Sequence, residues 1–169
     1  KIFKDKRFEY KKIFECGIGS NNPFLESNMT ANGKPGASLR VWRDFFPNAK
    51  IYGGDIDKEI LFIEDRISTY YVDQFDNSTI KSMWSKINED NFDIIIDDGA
   101  HFFTSNINFY EQSFYKLKKN GFYIIEDIRL SEIKKFYQYF KNCIDNVEFI
   151  SMKSNSTDGS SNLIVINKL

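Results

Sequence analysis

Asp97-Asp98-Gly99-Ala100-His101 sets two carboxylates, a glycine and the single histidine of the 169-residue chain side by side. It follows directly on the apolar run Phe92-Asp93-Ile94-Ile95-Ile96, which has the character of a strand buried on both faces. Open α/β sheets bind ligands in the crevice beyond the carboxyl ends of their strands, so this segment is a candidate reaction centre. An imidazole there can take a proton at neutral pH. Carboxylates there suit a cation that prefers oxygen, such as Mg²⁺, Ca²⁺ or Mn²⁺. A second apolar strand, Gly121-Phe122-Tyr123-Ile124-Ile125, also ends in acids, Glu126 and Asp127. Neighbouring strands lie about 4.8 Å apart. If the two are adjacent, four carboxylates and one imidazole converge on one small volume.

Three further strand ends carry polar groups. Glu15-Cys16-Gly17-Ile18-Gly19 follows the first strand, and its glycines allow close backbone approach to a ligand. A dinucleotide fingerprint needs a third glycine and an immediate helix. Here Asn22 and Pro23 follow, and the next helical pattern starts only at Ala37. Taken alone, Gly-x-Gly is equally an ordinary tight turn. Asp55 ends the second strand, where a carboxylate can hold both hydroxyls of a ribose. It could also cap the next segment, a role open to Asp57. Asp73-Gln74 ends the third, to bracket an adenine edge or to form a turn. The three ends together are more specific than any one.

The elements that must carry these residues alternate strand-like and helix-like throughout. Strands are expected at 13–16, 49–53, 67–72, 92–96, 122–125, 147–152 and 163–167. Helices are expected at 37–46, 57–64, 77–87, 104–117 and 131–143, the last with Ser131 as its N-cap. Repeated βα units imply a Rossmann-like, seven-stranded, mostly parallel α/β sheet with helices on both faces. The last two strands, joined by the polar loop 153–161, form an antiparallel hairpin. The length suits one domain over 1–169. The first residue is lysine, which reads as a trimmed N-terminus whose missing residues carry part of the acceptor site. Loop 17–36 is long enough to expect a functional or mobile role. Trp42 and Trp84, at helical spacing, are expected in the core, and Asn22-Pro23-Phe24 in a turn.

Bulk properties exclude some classes. Net charge is −1, and the lysines are dispersed among acids, which argues against a nucleic-acid platform. Cys16 and Cys143 make neither a disulfide scaffold nor a metal knuckle, and are expected as free thiols in a reducing, cytoplasmic setting. No apolar run reaches the roughly 18 residues that span a bilayer, so no membrane insertion is expected.

The chain resembles class I S-adenosylmethionine-dependent methyltransferases, and within them the metal-dependent sugar and macrolide O-methyltransferases. The resemblance rests on Glu15-x-Gly17-x-Gly19, Gly36-Ala37-Ser38-Leu39-Arg40-Val41-Trp42-Arg43-Asp44-Phe45-Phe46-Pro47, Ile51-Tyr52-Gly53-Gly54-Asp55-Ile56-Asp57, Asp73-Gln74, Asp97-Asp98-Gly99-Ala100-His101 and Ile125-Glu126-Asp127. It implies that Gly17 and Gly19 line the methionine part of the cofactor, with Glu15 near its ammonium and Ser38 toward its carboxylate. Asp55 would hold the ribose, and Asp73 and Gln74 would flank adenine. Asp97 is counted with these cofactor-side residues. Asp98, Glu126 and Asp127 match the metal-binding acids, with Mg²⁺ the expected ion, and His101 matches the general base, with Asp98 beside it. One departure is the insertion Ser20 to Pro35, where family members pass almost directly from the Gly-x-Gly turn to Gly-Ala-Ser-Leu.

The expected activity is therefore O-methylation of a hydroxyl, or a phosphorus-linked oxygen, on a sugar or glycan-linked acceptor. Capsular or other cell-surface polysaccharide and glycosylated-metabolite synthesis are natural settings. The acceptor would be a small molecule or glycan, and a homo-oligomer is compatible. A nicotinamide-dependent oxidoreductase or epimerase would want the third glycine, the early helix and a Tyr-x-x-x-Lys pair near the centre. A non-catalytic binding module would have no need of Asp98, His101, Glu126 and Asp127 together.

Overall fold

Parallel strands cannot be joined by tight turns, so each needs a crossover, and the amphipathic segments supply them. The structure, a computed structural model, describes residues 3–25, 27–151 and 162–169. Its strands are β1 (Lys12–Cys16), β2 (Lys50–Asp55), β3 (Ile63–Glu64), β4 (Ile67–Tyr71), β5 (Phe92–Asp97), β6 (Leu117–Ile128), β7 (Asn146–Ser151) and β8 (Asn162–Asn167). Its helices are α1 (Ala37–Phe45), α2 (Asn77–Ile87), α3 (Phe103–Ser113) and α4 (Ile133–Phe140). They form one sheet in the order β3-β4-β2-β1-β5-β6-β8-β7. β4, β2, β1, β5 and β6 run parallel, while β3, β8 and β7 pair antiparallel. The expected mostly parallel sheet with a C-terminal antiparallel pair is present. The loop expected at 153–161 lies outside the described residues.

Both sheet faces are covered because the central strands are apolar on both sides. Phe14, Ile95, Tyr123 and Ile125 pack on one face with Trp84 of α2, Phe109 of α3 and Phe136 of α4. Ile13, Ile94, Ile96 and Ile51 pack on the other with Leu39 of α1, Phe46 and Tyr10. Trp84 is core as expected. Trp42, expected in the core, is half-buried, with its indole N–H donated to the buried Glu15. No helix among the described residues is long and apolar enough to cross a membrane.

Three expected elements differ. The helix expected over 57–64 is one 3-10 turn, Lys58–Ile60, capped by Asp57, followed by β3. Phe62 is drawn to the sheet edge by Thr69, whose hydroxyl donates to the Phe62 carbonyl at 2.7 Å. β3 thus becomes an eighth strand. The strand expected over 122–125 is the much longer β6, and it begins at Leu117, where α3 was expected to end. Helix α4 begins at Ile133 without a side-chain cap from Ser131 or Glu132. Glu132 instead accepts the Phe103 N–H at 2.6 Å and so caps α3 from a distance.

Candidate active site

The chain runs β1, β2, β4 toward one edge and then returns to place β5 on the other side of β1. The crevice between β1 and β5 is the topological switch point, where such sheets bind ligands. Register aligns Gly54, Cys16, Asp97 and Ile125 in one row across β2, β1, β5 and β6. The residues just beyond that row therefore share one rim. A cavity of about 650 Å³ opens there, within the size range of small-molecule sites.

Gly17 and Gly19 form its floor with φ of 84° and 83°. Such values strain any residue with a side chain. A Cβ on Gly17 would run into the Asp98 carbonyl and the Gly99 Cα, so the two strand-end turns touch only because residue 17 is glycine. The inserted loop folds over one side. Met29 packs on Gly19, its N–H donates to the Ser20 carbonyl at 2.8 Å, and Ser20 Oγ donates to Asp57. Leu25, Asn28 and Met29 line the cavity. Asn22-Pro23-Phe24 is a turn held by Asn22 Oδ1, which accepts the Phe24 N–H at 3.1 Å.

Most expected cofactor-side residues reach this cavity. Asp55 lines it, and its carboxylate accepts the N–H groups of Ile18 and Asp57, each at 2.9 Å. Ser38, Asp73 and Gln74 line it as well. Glu15 and Asp97 do not. Glu15 points from β1 toward α1, where Ser38 Oγ donates to one carboxylate oxygen and Trp42 Nε1 to the other at 2.5 Å. Burial pushes its pKa up to about 8, against those two hydrogen bonds. Asp97, wholly buried, is a correction to its place among the cavity residues. Side chains alternate across a strand, and position 97 faces α3 rather than the crevice. Its oxygens accept Gln74 Nε2 at 2.6 Å and Asn106 Nδ2 at 3.0 Å.

The acidic side is assembled by two irregularities. The pairing of β6 with β8 shifts register between Ile125 and Ile128, a bulge that frees Glu126 and Asp127 from the ladder. Asp127 takes φ of 49° and His101 φ of 58°, conformations that non-glycine residues adopt rarely and often at functional sites. His101 Nε2 lies 3.2 Å from Asp98 Oδ1. Asp98, His101 and Asp127 each offer a ligand atom, and these atoms all lie within 4.8 Å of one another. Glu126 was expected in this set in place of His101 and stands outside it. Burial, then the charges of Asp98 and Asp127, raise the Glu126 pKa to about 7. Burial works against a charged His101, but the hydrogen bond and charge of Asp98, with Asp127 and Asp97, leave its pKa above the usual value. Two carboxylates and an imidazole converging beside a third, reluctant carboxyl fit a divalent cation that prefers oxygen.

Sequence reasoning missed Asn106 and the loop residues Leu25 and Met29. Apolar side chains in a mostly polar loop were the available signal for the latter.

The fold and this rim define the class: the chain carries the class I methyltransferase fold. No family model matches it. It is 32% identical over 127 residues, 75% of its length, to the 8-demethyl-8-(2-methoxy-alpha-L-rhamnosyl)-tetracenomycin-C 3'-O-methyltransferase of Streptomyces olivaceus. It spans only 30% of that relative's length. Among solved structures it is similar to the MycE methyltransferase of the mycinamycin pathway in complex with Mg, SAH and mycinamycin VI. That likeness has a TM-score of 0.69 and 23% identity, covering 99% of this chain and 47% of the other. An rRNA methylase from Streptococcus thermophilus shares the fold at a TM-score of 0.62 and 12% identity, over 99% of this chain and 92% of that one.

Proposed function

We propose that the protein is an S-adenosylmethionine-dependent O-methyltransferase that methylates a hydroxyl of a sugar or glycan-linked small molecule. The observation that carries this reading is the convergence of Asp98, His101 and Asp127 at the end of a cavity floored by Gly17 and Gly19. The relatives' names supply the sugar hydroxyl, and the rim supplies the groups such an acceptor needs.

In this reading the cofactor lies along Gly17 to Gly19, with its ribose at Asp55 and its adenine beside Asp73 and Gln74. The methyl group passes from the sulfonium to the acceptor oxygen by in-line displacement, and that oxygen must lose its proton. With Nε2–H donated to Asp98 Oδ1, His101 has its Nδ1 lone pair open to receive that proton. The Asp98 carboxylate then stabilises the imidazolium that forms. Asp98 and Asp127, with the neighbouring Glu126, would hold a divalent cation such as Mg²⁺, leaving the imidazole of His101 for the proton. When bound, that ion supplies charge stabilisation for the acceptor oxygen. A nicotinamide site is disfavoured because Gly19 leads into a loop, and α1 starts only at Ala37.

Calorimetric titration with S-adenosylmethionine and S-adenosylhomocysteine, with and without Mg²⁺ and against NADH, tests the reading. Micromolar binding of the sulfur ligands alone supports it. Binding of NADH in their place, or of none of them, overturns it.

A further inference from the structure

We propose that Gln74 is a positioning residue, whose side-chain amide ties the cofactor-side wall of the cavity to the turn that carries His101. The inference rests on the methyltransferase reading for what occupies the cavity, but its geometry is independent of that reading. Gln74 sits just beyond β4, is 5% exposed and lines the cavity. Both ends of its amide are committed. Nε2 donates to Asp97 Oδ1 at 2.6 Å, and Oε1 accepts the Ala100 N–H at 2.7 Å. Those partners fix which end is oxygen, since a carboxylate accepts and a backbone N–H donates.

The anchor is built from three elements. Asp97, at the end of β5, also takes Asn106 Nδ2 of α3 and a backbone hydrogen bond from Gly99. Asn108, two residues further along α3, donates to the Gln74 carbonyl at 2.8 Å. A Cβ at residue 99 would collide with Gln74 Oε1, so the turn lies directly against this amide. On its other side the Asp98 N–H donates to the Cys16 carbonyl at 2.9 Å. His101, which follows Ala100, holds its left-handed φ of 58°. A strained backbone of that kind persists only where its surroundings over-determine it. The Gln74 bond to Ala100 is the contact that fixes the turn immediately before His101. A ligand pressing on the Gln74 wall therefore bears on the residue that carries the imidazole.

The single histidine makes this directly observable, because its ring gives one set of carbon-bound proton resonances with no assignment problem. Those resonances would be recorded for the wild type, Gln74→Ala and Asp97→Asn, with and without S-adenosylhomocysteine. Calorimetry and thermal melting would run alongside. In the wild type the ligand is expected to shift the His101 signal. In Gln74→Ala the ligand-free signal itself moves or broadens, and the ligand-induced shift largely disappears. Asp97→Asn keeps Gln74 and an acceptor for its Nε2, and should retain most of the wild-type response.

A Gln74→Ala protein that melts as a folded domain with a wild-type His101 signal in both states overturns the proposal. The ligand-free comparison decides even if that variant no longer binds ligand. If Gln74→Ala does not fold, a wild-type His101 response in Gln74→Glu, which keeps an acceptor for Ala100 but repels Asp97, overturns it as well. Failure of the wild type to bind S-adenosylhomocysteine would instead count against the methyltransferase reading, with the ligand-free arm still deciding the role of Gln74.

Discussion

The two sides of the cavity are built on opposite electrostatic terms. On the cofactor side each polar group already has protein partners: Asp55 accepts two backbone N–H groups, and both ends of the Gln74 amide are bonded. That side is finished before a ligand arrives, with its shape set by glycine backbone and short hydrogen bonds. On the acidic side, Asp98, Glu126 and Asp127 crowd one imidazole, and mutual repulsion adds to burial in raising the Glu126 pKa to about 7. Its residues sit in a bulge and in left-handed backbone. A preformed pocket recognises something common to every turnover, whereas a crowded, strained cluster is what a bound cation and a proton transfer would relieve.

The largest expected effect breaks the acidic side alone. His101→Ala should lower methyl transfer by about 10²–10⁴-fold, the usual worth of a general base. Affinity for S-adenosylhomocysteine should stay within a small factor of wild type. A matching loss of ligand affinity, read by calorimetry, would mean that the two sides are not separable. Gly17→Ala should break both at once. The φ of 84° and the clash with the Asp98 carbonyl both oppose a methyl group there. Strain and overpacking together should cost about 2–4 kcal/mol, read as a lowered melting temperature with loss of ligand binding.

Cation binding sharpens the contrast at smaller scale. Mg²⁺ should raise the melting temperature of the wild type by mass action on the folded state. At saturation about 1–3 kcal/mol is expected, and Asp127→Asn should abolish most of it. Asp73→Asn, on the cofactor side, should leave the Mg²⁺ response intact. An equal loss in both variants would place the ion elsewhere.

Much of this was legible in the residues and some was not. Continuous apolar runs such as Ile94-Ile95-Ile96 mark central strands, and the end of that run carries Asp98 and His101 to the rim. What the pattern hides is which way a side chain points once a strand ends. Asp97 and Asp98 are indistinguishable as letters, yet alternation sends Asp97 under α3 and leaves Asp98 in the crevice. The bulge that presents Asp127 depends on pairing with β8, some 35 residues away, and no local window records it. Likewise Ser131 looks like a helix cap. The role of Glu132 as the cap of α3 exists only after α4 has packed beside it.

The smallest expected effect concerns Glu15, which lies beneath the finished side and breaks its rule. Its two donors, Ser38 and Trp42, do not offset its burial, and its pKa stands at about 8 against an ordinary 4.5. In the unfolded chain the carboxyl ionises near its ordinary value, while in the folded protein it keeps its proton up to about 8. The folded state therefore binds the extra proton across that window. Stability attributable to Glu15 is full below the lower value and declines as pH rises through the window. Glu15→Gln cannot ionise and can still accept from Trp42, with its N–H₂ turned to Ser38 Oγ. It should melt higher than the wild type at pH 8 by about 2–4 °C, for a gain on the order of 1 kcal/mol. The difference should shrink as pH falls toward 5. A constant difference across that range would mean that Glu15 is ionised in the folded protein, and that the cofactor side holds a buried charge its partners do compensate.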